Sequence, residues 1–208
     1  DDTDIIAGIK SPDKAEAAFS QLVQKYQERL YWHIRKIVIS HEDDDEVMQN
    51  TMVKVGRSRD NFRVESSLFT WLYRIATNEA LTFLKQKKKR NFAPWVDVEA
   101  QISESLESDP WFNGDEAQLK LQKAILKLPE KQRIVFNMKY YDQVKYEDMS
   151  EILDTSVGAL KASYHHAVKK IETMLEAPEN VFIVVGAGHL LGPQSVVALL
   201  KQKGYGVR

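Results

Sequence analysis

Apolar residues recur at helical spacing along most of this chain. Leu68, Leu72, Ile75, Ala76, Ala80, Phe83 and Leu84 form one such stripe, in a helix expected over 66–90. Another face of the same pattern carries Trp71, Arg74, Asn78, Thr82 and Lys85. Upstream, Ala18, Phe19, Leu22, Val23, Tyr26 and Leu30 make a stripe in a helix expected over 13–39, with Ser11-Pro12-Asp13 as start signals. Residues 41–56, HEDDDEVMQNTMVKVG, predict a third helix. Acids crowd its first turn, where the helix dipole favours them, and Gly56 is a candidate end.

The period then lapses. Residues 93–114 hold two Pro, one Gly and several Ser and acids, which predicts a flexible linker. Helical patterning resumes over 115–176, where Leu119, Leu121, Ile125, Leu126 and Leu128 lead to Pro129, the expected first residue of PEKQRIVFNMKYY. Then come YEDMSEIL, a short turn DTS, and VGALKASYHHAVKKIETML. Met149, Ile152 and Leu153 are expected to face Leu160, Tyr164, Val168 and Ile171 across that turn, as in a helix-turn-helix. The last 30 residues break register into a β-branched strand, a Gly-rich turn and a short helix. The expected fold is all-α: two helical domains joined by a flexible linker, with a short α/β-like C-terminal tail.

Composition narrows the classes. With 43% hydrophobic and 28% charged residues, a globular, well-solvated protein is expected. No run approaches the roughly 18–20 apolar residues that span a bilayer, and no cationic-then-apolar segment stands at the start, so membrane insertion is not expected. The absence of Cys excludes disulfides and thiolate metal sites, and fits a reducing cytoplasm. A net charge of −1 conceals segregation: residues 54–92 carry ten Lys/Arg against three Asp/Glu, whereas 93–118 carry seven acids and no base. A basic face followed by an acidic connector points to a polyanion-binding module.

The polar face of helix 66–90 combines an aromatic, an amide and cations. Those groups stack on bases, bond their edges and neutralise phosphates, the chemistry of single-stranded nucleic acid binding. His165 and His166 are adjacent, so on a helix they point about 100° apart and joint chelation is not expected. No metal, cofactor or catalytic residue is expected.

Two helical blocks, a linker and a C-terminal helix-turn-helix resemble an extracytoplasmic-function (ECF) sigma factor of bacterial RNA polymerase, over roughly residues 3–176. The resemblance implies four segments: 3–92 as sigma region 2, 93–114 as an acidic linker, 115–176 as region 4, and 177–208 as a tail of unknown role. HEDDDEVMQNTMVKV is similar to the helix that docks on the clamp of the polymerase largest subunit, which implies docking roles for Asp45, Glu46, Gln49 and Asn50. DNFRVESSLFTWLYRIATNEAL is similar to the −10 recognition segment. By that similarity Asn61, Phe62, Arg63, Glu65, Ser66 and Ser67 would form part of a base pocket. Trp71 and Asn78 would contact the opened strand, and Arg74, Lys85, Lys88 and Arg90 would hold phosphates. The 115–176 segment is similar to region 4, which implies −35 contacts from Ser156, Lys161, Ser163, His165, His166 and Lys169.

The implied partners are core RNA polymerase (the clamp, and the flap of the second-largest subunit) and promoter DNA, with an anti-sigma factor or another recruited DNA-binding factor besides. The implied activity is transcription initiation without bond chemistry, in the cytoplasm; the alternative is a stand-alone helix-turn-helix regulator. The chain departs from the family at Gly56, where Trp is usual, and at Val64, where Gly is usual. Its recognition helix also lacks Arg, the commonest guanine reader. The tail resembles the C-terminal end of TraB/GumN-type proteins, whose Gly-x-x-His motif appears as Gly186-Ala187-Gly188-His189. That family is linked to metal-dependent peptidase-like activity, but one His cannot assemble a hydrolytic metal site.

Overall fold

The computed structural model describes residues 1–39, 41–58, 62, 67–90 and 116–175. The expected linker at 93–114 and the tail at 177–208 lie outside the described residues, as do Asn61, Arg63, Val64, Glu65 and Ser66. Among the described residues every regular element is an α-helix.

The N-terminal block starts with α1 (Asp2–Ile9), opened by a capping box between Asp1 and Asp4. The sequence pattern gave this short element no signal of its own. It buries Ile5 and Ile9 against α2 (Ala15–Val38), and Gly8 permits the approach: a Cβ there would stand 2.6 Å from the Ala18 Cβ. Residues 11–14 are a turn, closed by the Lys14 amide donating to the Ser11 carbonyl, so α2 begins later than its polar start signals imply. Its stripe of Ala18, Leu22, Tyr26, Leu30, Ile34 and Ile37 is buried. At its end Ile39 adopts φ 73°, a conformation a β-branched residue rarely takes, and Arg35 Nη1 donates to the Ile39 carbonyl at 2.6 Å.

Helix α3 (His41–Ser58) turns Asp44, Val47, Thr51 and Val55 inward and continues two residues past Gly56. A lone glycine costs a helix only about 1 kcal/mol, which packing against α2 and α4 overrides. The Phe19 ring lies across Gly56, 3.8 Å from where a Cβ would stand. Helix α4 (Leu68–Arg90) buries Leu68, Leu72, Tyr73, Ala76 and Ala80 against α2 and α3.

The second block comprises α5 (Glu116–Leu126), α6 (Glu130–Tyr140), α7 (Tyr146–Leu153) and α8 (Val157–Leu175). Pro129 sits at the N-cap of α6 rather than inside it. Ala124, Ile125, Leu128, Phe136, Ala167 and Ile171 form a core among α5, α6 and α8. Between α7 and α8 the chain reverses through Asp154 at φ 48°, a left-handed position that a short polar side chain tolerates. Ser156 then caps α8, its Oγ accepting from the Ala159 amide at 3.3 Å.

The two blocks share a core. Ile134, Met138, Met149, Ile152 and Leu160 of the second belong to one buried cluster with Leu22, Leu30, Leu72 and Tyr73 of the first. Helix α6 packs on α2, and α7 on α4. Asp142, in the α6–α7 turn, enters the seam: one carboxylate oxygen is 3.0 Å from His33 Nδ1, and the other accepts from Lys36 Nζ. His33 Nε2 pairs with Thr77 Oγ1 at 2.8 Å, which ties α2, α4 and the second block together. Asn137 Nδ2 donates to the Lys36 carbonyl at 3.3 Å, and Thr70 Oγ1 to Asp148 Oδ1 at 3.4 Å.

Candidate nucleic-acid interface

Helix α4 divides as its two stripes require. Because Leu68, Leu72, Ala76 and Ala80 are buried, the residues at Arg74, Asn78, Thr82 and Lys85 emerge together on the solvent side. Lys89 continues that exposed row. None of Arg74, Asn78 or Lys85 forms an ion pair or side-chain hydrogen bond among the described residues, so two cations and an amide stand ready for a ligand. Lys87 differs: it pairs with Asp43 of α3, and Lys54 of α3 pairs with Glu79. The side chains of Lys88 and Arg90 lie outside the described residues.

The aromatic end of the row is built differently from an open stacking platform. Phe62 is buried, and Trp71 is half-buried against it, edge to face with centroids 5.0 Å apart. Trp71 therefore offers one part of its indole outward while the rest packs. Ser67 is exposed and caps the helix, its Oγ accepting from the Thr70 amide at 3.1 Å. Of the seven loop and stripe positions from Asn61 to Ser67, only Phe62 and Ser67 are among the described residues.

On α3 the four candidate docking residues Asp45, Glu46, Gln49 and Asn50 are all exposed and share one side. Their neighbours Asp43 and Asp44 turn the other way. Asp44 is fully buried with Arg35 Nε 3.3 Å from its carboxylate, and Tyr31 also bonds to it. Burial first, and then the Asp44 charge, push the Tyr31 hydroxyl above the usual phenol range. Val53 extends the exposed α3 face and is 48% exposed. Sequence reasoning passed over it, although an apolar residue four positions after Gln49 on a polar face was the available signal.

On α8, Ser156, Lys161, His165, His166 and Lys169 are exposed and Ser163 is half-exposed. Ser156 is engaged as the N-cap, and the Lys161 ammonium lies 5.7 Å from the Tyr146 ring centroid. The rings of His165 and His166 are 6.0 Å apart and inclined by 59°. Lys170 adds a further exposed cation next to Lys169. Among the described residues no group of three His, Asp or Glu side chains could hold a metal ion, and no helix is long and apolar enough to cross a membrane. The outward faces thus comprise two cationic helices, α4 and α8, and an acidic and amide face on α3.

Comparison with known proteins bears on both blocks. Residues 22–90 match Sigma-70 region 2, and residues 118–171 match Sigma-70 region 4. The RNA polymerase sigma-H factor of Pseudomonas aeruginosa is 29% identical over 185 residues, covering 84% of this chain and 94% of that protein. The ECF RNA polymerase sigma-E factor of Escherichia coli is 29% identical over 171 residues, covering 77% and 88%. Among solved structures, CnrH in complex with the cytosolic domain of CnrY superposes with a TM-score of 0.62 at 20% identity, covering 86% of this chain and 99% of that one. The sigma factor RpoE in complex with the anti-sigma factor NepR from Bartonella quintana gives 0.61 at 19% identity, covering 77% and 98%.

Proposed function

The chain belongs to the extracytoplasmic-function sigma factors, which bind core RNA polymerase and direct promoter-specific initiation, and from that membership we propose how its helices divide the work. Helix α3 docks on the polymerase clamp through Asp45, Glu46, Gln49 and Asn50, with Val53 as an apolar anchor. Helix α4 receives the opened −10 strand. Asn78 bonds a base edge, Trp71 supplies a partial stacking surface, and Arg74, Lys85, Lys88 and Arg90 hold phosphates. Helix α8 lies in the −35 major groove with Lys161, His165, His166 and Lys169 toward the DNA, and the second block meets the polymerase flap.

The observation that carries this reading is the outward row on α4. A buried apolar stripe fixes the helix, so cations and an amide stand where a backbone and a base can meet them together. Extruding a base costs a few kcal/mol, which such contacts return. The chain performs no bond chemistry of its own in this reading, and works in the cytoplasm. Control falls to an anti-sigma factor or another recruited DNA-binding factor, consistent with a recognition helix that lacks Arg.

Permanganate footprinting of melted thymines in a reconstituted polymerase complex tests it. Arg74→Ala with Asn78→Ala is expected to abolish reactivity at the −10 element while polymerase binding persists. Glu46→Lys is expected to weaken polymerase binding instead. Unchanged melting in the α4 variant would remove α4 from the −10 contact.

A further inference from the structure

With α8 assigned to the −35 element, an assignment this inference rests on, the outward face of that helix is sparing in fixed charge. Leu160, Ala167 and Ile171 turn inward, so Gly158, Ala162, His165, His166 and Lys169 emerge on the far side. Gly158, Ala159 and Ala162 are exposed and carry no polar group that could reach a base edge. A Cβ at Gly158 would meet nothing within 4 Å, so this half of the face is smooth and open. The exposed cations of the helix are Lys161, Lys169 and Lys170. Between Lys161 and Lys169 stand His165 and His166, both exposed, their rings 6.0 Å apart. Histidine is the side chain whose charge ordinarily changes between about pH 5 and 8. Two imidazolium charges would take the exposed face from three cations to five.

We propose that His165 and His166 make −35 binding proton-linked: they take up protons as α8 meets the DNA backbone, so the element is held more tightly in mildly acidic than in alkaline conditions. The protein supplies no opposite charge to either ring. Among the described residues neither imidazole has a hydrogen bond or an ion pair. On α8 itself the flanking Lys161, Lys169 and Lys170 are like charges, and Glu172 lies two helical turns beyond His165, about 10 Å along the axis. The helices packed behind α8 carry Lys120 and Lys123 on α5, Glu130 and Lys139 on α6, and Glu147 and Glu151 on α7. None of these bonds to either ring among the described residues. Phosphates are therefore the counter-charge an imidazolium on this face would meet, and a nearby opposite charge favours the charged form. The DNA-bound state then holds more protons than the free one, so affinity falls as pH rises through the histidine range. The chemistry of the ring agrees. Neutral imidazole presents one N–H and one lone pair, whereas imidazolium presents two N–H donors, which suit phosphate oxygens and the N7 and O6 acceptors of guanine.

The test uses holoenzyme assembled from the full chain and core polymerase. Its probe is a fluorescent duplex that holds the −35 region of a promoter selected from a randomised library and ends upstream of the −10 element. Fluorescence anisotropy reads affinity at pH 6 and pH 8 across a salt series. The wild type is expected to bind about tenfold more tightly at pH 6, as a shift of roughly half a unit to one unit on each ring would give. Its slope of log affinity against log salt should steepen at pH 6 by up to about 0.9 for each imidazole that meets a phosphate. His165→Gln with His166→Gln is expected to lose the pH response, and His165→Lys with His166→Lys to bind tightly at both pH values. Circular dichroism confirms that helix content is kept. A wild-type response under about twofold, or a full response kept in the Gln pair, which leaves His33 in place, would overturn the proton linkage. Lys161→Ala with Lys169→Ala separates that failure from the failure of the −35 assignment. Should the lysine pair weaken binding while the wild type is flat with pH, the linkage alone falls; should it leave binding unchanged at both pH values, α8 is not the reader and both fall.

Discussion

Asp44→Ala is expected to unseat α3, the helix proposed to dock on the polymerase, without touching its exposed face. Asp44 lies in the first turn of α3, with no exposure, 3.3 Å from Arg35 Nε of α2. Arg35 also donates to the carbonyl of Ile39, the strained residue at the corner between the two helices. Removing the carboxylate leaves a guanidinium that is only 10% exposed without its Asp44 partner, while its bond to the Ile39 carbonyl is kept. Breaking a buried pair costs about 3–5 kcal/mol, and the surviving Arg35–Ile39 bond brings the expected loss to about 2–4 kcal/mol. At about 2–4 °C per kcal/mol for a chain of this size, the melting temperature should fall by roughly 5–15 °C. Urea denaturation followed by circular dichroism measures the free energy, and a pull-down with core polymerase measures docking, which should weaken as the first turn of α3 frays. Asp44→Asn should cost less, because the amide keeps the shape. A loss under about 0.5 kcal/mol for the Ala variant would refute the corner as a structural pin.

Other consequences are independent of that corner. Lys85→Ala should lower affinity for single-stranded −10 DNA in the polymerase complex and reduce the slope of log affinity against log salt by about 0.7, the value for one phosphate contact on a single strand. Gly56→Ala should stabilise the protein by about 1 kcal/mol in thermal melts, since helix propensity improves and the nearest atom, Phe19 Cζ, is 3.8 Å away. Gly56→Trp should destabilise it, because the Phe19 ring already covers that position. Burial alone would raise the Asp142 carboxyl, but hydrogen bonds and charge from His33 and Lys36 hold it below its ordinary 3.8. With the folded value depressed, its stabilisation is full above the ordinary carboxylate range and drains as pH falls through the folded value. The gap in stability between wild type and Asp142→Asn should therefore be present at pH 6 and shrink below about pH 4.

How much of this could be read in advance depended on the range of the interaction. Helix α4 was legible because Leu68, Leu72, Ala76 and Ala80 repeat at its own period, and the same period placed Arg74, Asn78, Thr82 and Lys85 outside. The helix-turn-helix was legible for the same reason. Boundaries were less so: the start signals at residues 11–13 belong to a turn, and Gly56 lies inside α3, because tertiary packing overrides a local preference of about 1 kcal/mol. Helix α1, at eight residues, is too short to show periodicity. The seam was not legible at all. Asp142 meets Lys36 and His33 across 106 and 109 residues, and nothing local in either segment distinguishes a latching carboxylate from a solvated one. Phe62 and Trp71 illustrate the same limit, since their mutual packing decides how much of the indole is left exposed.

The central claim is that this chain selects promoters for core RNA polymerase through two helices that read separate elements. Run-off transcription of a randomised promoter library by the full chain with core polymerase tests that most directly. The expected result is discrete start sites preceded by two sequence elements at a fixed spacing, with the downstream element losing its selection in the Arg74→Ala, Asn78→Ala variant. Sequence-specific DNA binding without polymerase, together with no promoter-dependent transcript in its presence, would contradict it.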